Sequence, residues 1–319
     1  MEKSPLIVLT GPTSVGKTKL SVKLAKEMGG EIISADSMQV YKGMDIGSAK
    51  VTIEEMDNVP HHLIDVLDPK EDFNVFIFKE MCDKIIPGIL ERGHIPILVG
   101  GTGFYIQAVL RGIEFDENEN DDSYRTYLEN LAEEKGAQYL NEMLREVDPE
   151  SADAIHQNNV KRTIRALEFY HFTGKKISEH NEEQKSKGDA FNACYFVLND
   201  ERSLIYERIE KRVDEMLNAG LLDEVKALKD KGLTRDYVSM QGLGYKEILD
   251  YLDGEISLDE AIYIIKRDTR HFAKRQITWF KREPSVIWVN KPDFDYDDNK
   301  IIDFMVGRCK EAGINKKLF

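Results

Sequence analysis

Short apolar runs alternate with helix-periodic stretches through the first third of the chain. PLIVLT, EIISAD, HHLIDVL and HIPILVG are each of strand length and rich in Ile, Val and Leu. Between the first two, KTKLSVKLAKEMGG places Leu20, Leu24 and Met28 at helical spacing and stops on Gly29-Gly30. Strand, helix, strand in this order predicts a parallel sheet with helices on its faces.

The pattern then changes. Residues 114–122 (EFDENENDD) hold six carboxylates in nine positions and predict a linker or exposed loop. Roughly 123–185 is a helical region without clear strands, with SYRTYLENLAEEKG and VKRTIRALEFYHFTGK as its plainest helices. FNACYFVLN (191–199) reads as a returning strand, two helical stretches follow, and SVIWV (285–289) is a late strand. The predicted fold is therefore α/β: a nucleotide-kinase-like parallel-sheet core, 1–114 and 191–319, with a helical insertion domain at 115–190.

Residues 261–282 read as one helix. Ile262, Ile265, Thr269, Phe272, Gln276 and Phe280 form a mainly apolar stripe, and Arg267, Arg270, Lys274 and Lys281 fall on another face. A solvated basic face is the common meaning of such a pattern. Here 266–282 carry seven Lys or Arg against one Asp, which suits a phosphate-facing role equally well.

A net charge of −14 argues in bulk against nucleic-acid binding, but the local basic stripe weakens that argument. No apolar run approaches the roughly 18 residues of a membrane span, and Leu6 to Leu9 is too short for a signal peptide, so a cytoplasmic location without membrane contact is expected. Cys82, Cys194 and Cys309 lie far apart with no CxxC pairing, and suggest neither zinc nor disulfides. His61-His62 reads as structural.

Residues 11–18, GPTSVGKT, match G-x-x-x-x-G-K-[ST] in full, between a predicted strand and a predicted helix. This is a P-loop. Its glycines turn backbone amides around phosphate oxygens, the following helix points its positive end there, Lys17 reaches the phosphates and the Thr18 hydroxyl is suited to ligating Mg2+. The motif says polyphosphate without saying which. An ATPase usually has an apolar strand ending in a magnesium-holding Asp. The best such strand here, IPILV, ends in Gly100-Gly101-Thr102-Gly103. Asp36 ends the second strand, where ligands of open parallel sheets bind. From spacing alone it suits a proton acceptor or the cap of a following turn equally.

These residues resemble the tRNA dimethylallyltransferase family. GPTSVGKT, DSMQVYKGMDIGSAK, HHLIDVLDP and GGTGFY carry the resemblance. It continues in VDPESADAIHQNNVKRTIRALEFYHFTGK, LGYKEILDYLDGE and TRHFAKRQITWFKR, in order from Thr10 to about Arg282. The resemblance implies transfer of a dimethylallyl group from dimethylallyl diphosphate to the exocyclic amine of adenosine 37 in tRNA, releasing diphosphate. The P-loop would then hold a leaving group rather than ATP.

Carried over residue by residue, the resemblance implies that Gly11, Thr13, Ser14, Val15, Gly16, Lys17, Thr18 and Arg212 bind the diphosphate. Asp36 is the general base, and Thr18 holds the metal. Without the resemblance Arg212 reads as part of a solvated helix face. Contacts to the tRNA anticodon stem-loop fall on Asp36, Ser37, Met38, Gln39 and Thr102; on Arg125; on Lys161, Arg162, Thr163, Ile164 and Arg165; and on Met240, Gln241, Gly242, Gly244, Tyr245 and Lys246. The two glycines of MQGLGYK are expected to let backbone approach a nucleotide. A monomer is expected, since one tRNA and one donor suffice. Rival readings are an ATP-dependent small-molecule or nucleotide kinase, an enzyme prenylating free adenine nucleotides, and a non-catalytic P-loop module.

Overall fold

The computed structural model describes residues 3–114, 122–186 and 188–316. The acidic stretch expected as a linker lies, for residues 115–121, outside them. In chain order the elements are β1 (Pro5–Thr10), α1 (Lys17–Met28), β2 (Gly30–Ala35), α2 (Ile53–Met56), β3 (His61–His62), α3 (Val75–Glu91), β4 (Ile95–Gly100) and α4 (Gly103–Leu110). Next come α5 (Asp122–Lys135), α6 (Ala137–Val147), α7 (Pro149–Ala154), α8 (Val160–Thr173) and α9 (Ile177–Ser186). The chain then forms β5 (Asn192–Asn199), α10 (Arg202–Asn218), α11 (Leu221–Asp230), α12 (Tyr245–Leu252), α13 (Leu258–Phe280), β6 (Val286–Asn290) and α14 (Asp298–Glu311). It divides into two compact units, Met1–Leu110 with Phe191–Phe319, and Arg111–Ala190. No described helix is long and apolar enough to cross a membrane.

The first unit is an α/β fold around one sheet of order β3-β2-β4-β1-β5-β6, with every pairing parallel. Alternation along β1 explains the layering. Leu6 and Val8 enter one core with α3, α4, α12 and α13, while Ile7 and Leu9 enter another with α1 and α14. A strand covered on both faces must be apolar throughout, which is why these runs lack polar alternation.

HHLIDVL was expected to be a whole strand, and only His61 and His62 are. Leu63 and Asp65 take positive φ (62° and 55°), which turns the chain off the sheet. The segment then straps onto residues 39–42 instead: Val66 N donates to the Val40 carbonyl at 2.9 Å and Lys42 N to the Leu67 carbonyl at 2.9 Å. His62, Arg92 and His94 converge on Glu31, a 3% exposed carboxylate at the start of β2. Cys194 and Cys309, distant in sequence, meet between β5 and α14 as buried free thiols.

Helix α13 begins three residues earlier than expected, capped by Ser257 accepting from Glu260 N. Its buried stripe is Ala261, Ile265, Ala273, Gln276 and Phe280. Ile262, Thr269 and Phe272, expected in that stripe, are half-buried beside it.

The second unit is helical. Leu128, Leu131, Leu140, Leu144, Ile164 and Leu167 form its centre. Asp148 locks it: the buried carboxylate accepts from the backbone and hydroxyl groups of both Ser151 and Ser178. A buried carboxylate so fully hydrogen-bonded is satisfied without a counter-charge.

Candidate active site

The loop from Gly11 to Gly16 runs off the carboxyl end of β1 into α1. Gly11 has φ 144°, and a Cβ there would stand 2.5 Å from the Leu198 carbonyl oxygen of β5. Only glycine lets the loop leave the sheet so close to the next strand. Val15 is fully buried, so its side chain anchors the loop and only its backbone faces the ligand side. The first turn of α1 has no side-chain cap and no acidic residue. Its amides and positive end are thus left for an anion. The Ser14 hydroxyl is buried without a hydrogen-bond partner among the described residues.

Lys17 Nζ donates to the Gly11 and Pro12 carbonyls at 3.0 and 2.9 Å, lying across the loop. Burial, and then the neighbouring Arg212, lower its pKa to about 8, with Asp36 opposing. Arg212, on α10, is half-buried and held below the usual arginine range by burial, against the pull of Asp36. It is not part of a solvated helix face. The fold gathers Lys17, Arg212 and Asp36 from three elements into one charged group.

Asp36 caps the turn that follows it and also faces a cavity. Its Oδ1 accepts from Met38 N at 2.8 Å and Gln39 N at 3.3 Å, capping the turn. The same carboxylate lines a cavity with Lys17, Thr18, Ser34, Gln39 and Gly100. Gln39 is steadied by donating to the Ser48 and Ala49 carbonyls. Ser37 is half-buried. Thr102 immediately precedes α4, its carbonyl accepting from Tyr105 N and Ile106 N while its own amide donates to the Ala35 carbonyl. That places it beside Asp36.

Four residues matter that the sequence did not single out. Gln276 accepts from Thr13 N at 2.9 Å and donates to the Gly101 carbonyl at 3.0 Å, joining the P-loop to the GGTG turn. Its signal was a lone amide in an apolar stripe. A Cβ on Gly101 would stand 2.2 Å from its Nε2, so a larger residue there would displace the Gln276 amide. Arg208, one turn before Arg212, pairs with buried Asp200 and donates to the Ser14 carbonyl at 3.4 Å. Lys291 lies beside Gly16. Glu224 on α11 accepts from the amides of Asp45, Ile46 and Gly47 and from Tyr245, folding the loop that follows Asp36.

The residues expected to contact RNA differ in their exposure. Thr163 and Ile164 are buried in the second unit, 0% and 4% exposed; within KRTIR only Lys161 and Arg162 are exposed, and Arg165 is half-buried. Arg125 is engaged by Glu168 through two hydrogen bonds of 2.9 Å. Met240 and Tyr245 are fully buried in the first unit. Gly242 admits the Met38 side chain, whose sulfur would stand 2.6 Å from an added Cβ, and Gly244 (φ 95°) opens α12. Gln241 is exposed and Lys246 half-buried. On α13, Lys266, Arg267 and Arg270 pair with Asp214, Asp268 and Glu210, so the basic face is partly neutralised. His271, Lys274, Arg275, Thr278, Trp279 and Arg282 instead line a groove of about 460 Å³.

A parallel sheet with a P-loop-like turn at the carboxyl end of its β1 strand, and a charged cavity beside it, defines an α/β protein of the P-loop type. Residues 39–283 match the family described as IPP transferase, and residues 4–66 that described as isopentenyl transferase. The chain belongs to the IPP transferase family. It is 58% identical over 312 residues to the tRNA dimethylallyltransferase of Lachnoclostridium phytofermentans, covering 98% of this chain and 99% of the relative. The full-length tRNA isopentenylpyrophosphate transferase of Bacillus halodurans superposes with a TM-score of 0.73 at 46% identity over 98% of each chain. A eukaryotic dimethylallyltransferase acting on tRNA gives 0.84 at 30% identity, over 99% of this chain and 81% of that one.

Proposed function

We propose that the protein is a cytoplasmic, monomeric tRNA dimethylallyltransferase that moves a dimethylallyl group from dimethylallyl diphosphate to the exocyclic amine of adenosine 37. The observation that supports this reading is that Lys17 and Asp36 line one cavity at the P-loop, with the charge of Arg212 close enough to act on both. Two cations and a carboxylate there match a reaction that expels an anion and removes a proton.

The adenine amine attacks the allylic carbon, and the carbon–oxygen bond to diphosphate breaks. Lys17, Arg212 and the amides of Ser14 to Thr18 receive the negative charge leaving on diphosphate. Asp36 takes the amine proton, its carboxylate oriented by the Met38 and Gln39 amides. The base must leave the anticodon stack, which costs a few kcal/mol and is offset by contacts around the loop. This reading assigns such contacts to exposed basic side chains, Lys161 and Arg162 in the second unit and Lys274 and Arg275 in the first.

No group of three or more His, Cys, Asp or Glu among the described residues forms a metal cage. An exposed Thr18 hydroxyl with Asp36 on the same cavity does fit a magnesium ion brought in by the diphosphate, since magnesium binds through few protein ligands plus phosphate oxygens. Bound there, it would neutralise part of the diphosphate charge. The kinase alternative fares worse: β4 ends in Gly100 packed against Ala35, where an ATPase would place its aspartate.

The test is incubation with magnesium, dimethylallyl diphosphate and an anticodon stem-loop bearing the target adenosine, read by mass spectrometry. A five-carbon mass gain is expected. No gain, together with ATP turnover, would overturn the reading.

A further inference from the structure

Lys291 follows the last strand of the sheet, where the chain is held by hydrogen bonds at Asn290 and at its own carbonyl. Asn199 on β5 donates to Asn290 at 3.0 Å, and Tyr296 N donates to the Lys291 carbonyl at 3.1 Å. The side chain is half-buried and reaches the P-loop: a Cβ on Gly16 would stand 3.5 Å from its ammonium. Gly16 is the residue that opens α1. Among the described residues this ammonium has no hydrogen bond or ion pair. The carboxylates near it are committed elsewhere, Asp200 to Arg208, Tyr296 and the Glu201 amide, and Asp298 to Lys19 and Lys23.

A cation at a helix N-terminus is unfavourable, because the helix end is itself positive. Here Lys291 stands at such an end in company with Arg208, and burial together with Arg208 lowers its pKa. An arrangement that repels itself in isolation is stabilised by an anion placed among its members. Resting on the reading that the loop holds diphosphate, we propose that Lys291 is a further diphosphate-binding residue, contacting a phosphoryl oxygen on the Gly16 side of the loop. Lys17, Arg212 and Lys291 then approach one ligand from α1, α10 and the end of β6, and Arg208, tied to Asp200 and the Ser14 carbonyl, positions the loop between them.

The experiment measures binding of inorganic diphosphate with magnesium by calorimetry to wild type, Lys291→Ala, Lys291→Met and Lys291→Arg, with binding of an anticodon stem-loop and melting temperature alongside. Loss of one charge-assisted hydrogen bond should weaken diphosphate binding roughly tenfold in the Ala and Met variants. Lys291→Arg should recover most of it, and stem-loop affinity should stay within about twofold. Unchanged diphosphate affinity in folded Ala and Met variants overturns the assignment. So does a loss confined to the stem-loop, which would give Lys291 to an RNA phosphate. A wild-type protein that binds no diphosphate removes the reading of the loop itself, which is a different failure.

Discussion

The side chain of Gln276 accepts a hydrogen bond at 2.9 Å from the backbone of Thr13, 263 positions earlier in the chain. The other end of the same amide donates to Gly101. One side chain therefore sets the spacing between the P-loop and the turn that precedes Thr102. Replacing it with Leu leaves a half-buried N–H and a buried C=O without this partner. Gln276→Leu should lose about 1–3 kcal/mol of stability in urea unfolding. It should also weaken diphosphate binding, because the loop is no longer held. Unchanged values of both would mean the clamp is dispensable.

Asp36 caps a turn and faces the cavity, so its substitution must separate the two roles. Asp36→Asn keeps an oxygen for the Met38 and Gln39 amides but is no longer a base. Single-turnover rates with the stem-loop should fall by about 10² to 10⁴. Stem-loop affinity should hold within about threefold. A rate near wild type would take Asp36 out of proton transfer.

Lys17 has its pKa lowered from 10.5 to about 8, mainly by burial. The unfolded chain thus binds more protons between these values, and folding gains stability as pH rises through that window. The cost is fully present below about pH 8 and amounts to at most about 3 kcal/mol. Lys17→Met should be more stable than wild type at pH 7, and the difference should shrink as pH approaches 10.5. Diphosphate affinity of the wild type should decline above about pH 8. A pH-independent gap in melting temperature would argue against a strained lysine.

Glu31 behaves in the opposite sense. Arg92 holds its carboxyl down to about 2, against the cost of burial, with His62 and His94 adding to the effect. Its contribution is present above about pH 4.5 and is lost as pH falls from there toward 2. The shift corresponds to about 3 kcal/mol. Glu31→Gln should lower the urea midpoint at pH 7, and the two proteins should converge as pH falls through that range. Parallel curves would remove the carboxylate from acid unfolding.

Much of this was legible in the chain. Unbroken apolar runs mark strands covered on both faces, and the glycine-rich turn after the first of them is readable because its glycines have steric work to do. HHLIDVL misled because an apolar run does not reveal that Leu63 and Asp65 bend away. The segments around Thr163 and Tyr245 were legible only as stretches: a resemblance assigns a stretch to a ligand, whereas which of its side chains are exposed is set by the fold. Gln276 showed only as a lone amide in an apolar stripe, and Arg208 and Lys291 not at all, because what they do depends on the P-loop, some 190 to 275 positions away. Periodicity reports only which face a residue occupies.

The order of strands in the sheet has a consequence for biosynthesis. β1 pairs with β4 and β5, and β5 pairs with β6, so the first strand to leave the ribosome waits for strands that follow by about ninety and one hundred and ninety residues. The groups around the P-loop arrive even later, Gln276 and Lys291 among the last. A nascent chain halted before Val286 would carry the whole phosphate motif yet lack the strand that closes the sheet. An apolar β5 edge would then stand open, a ready template for pairing with another chain.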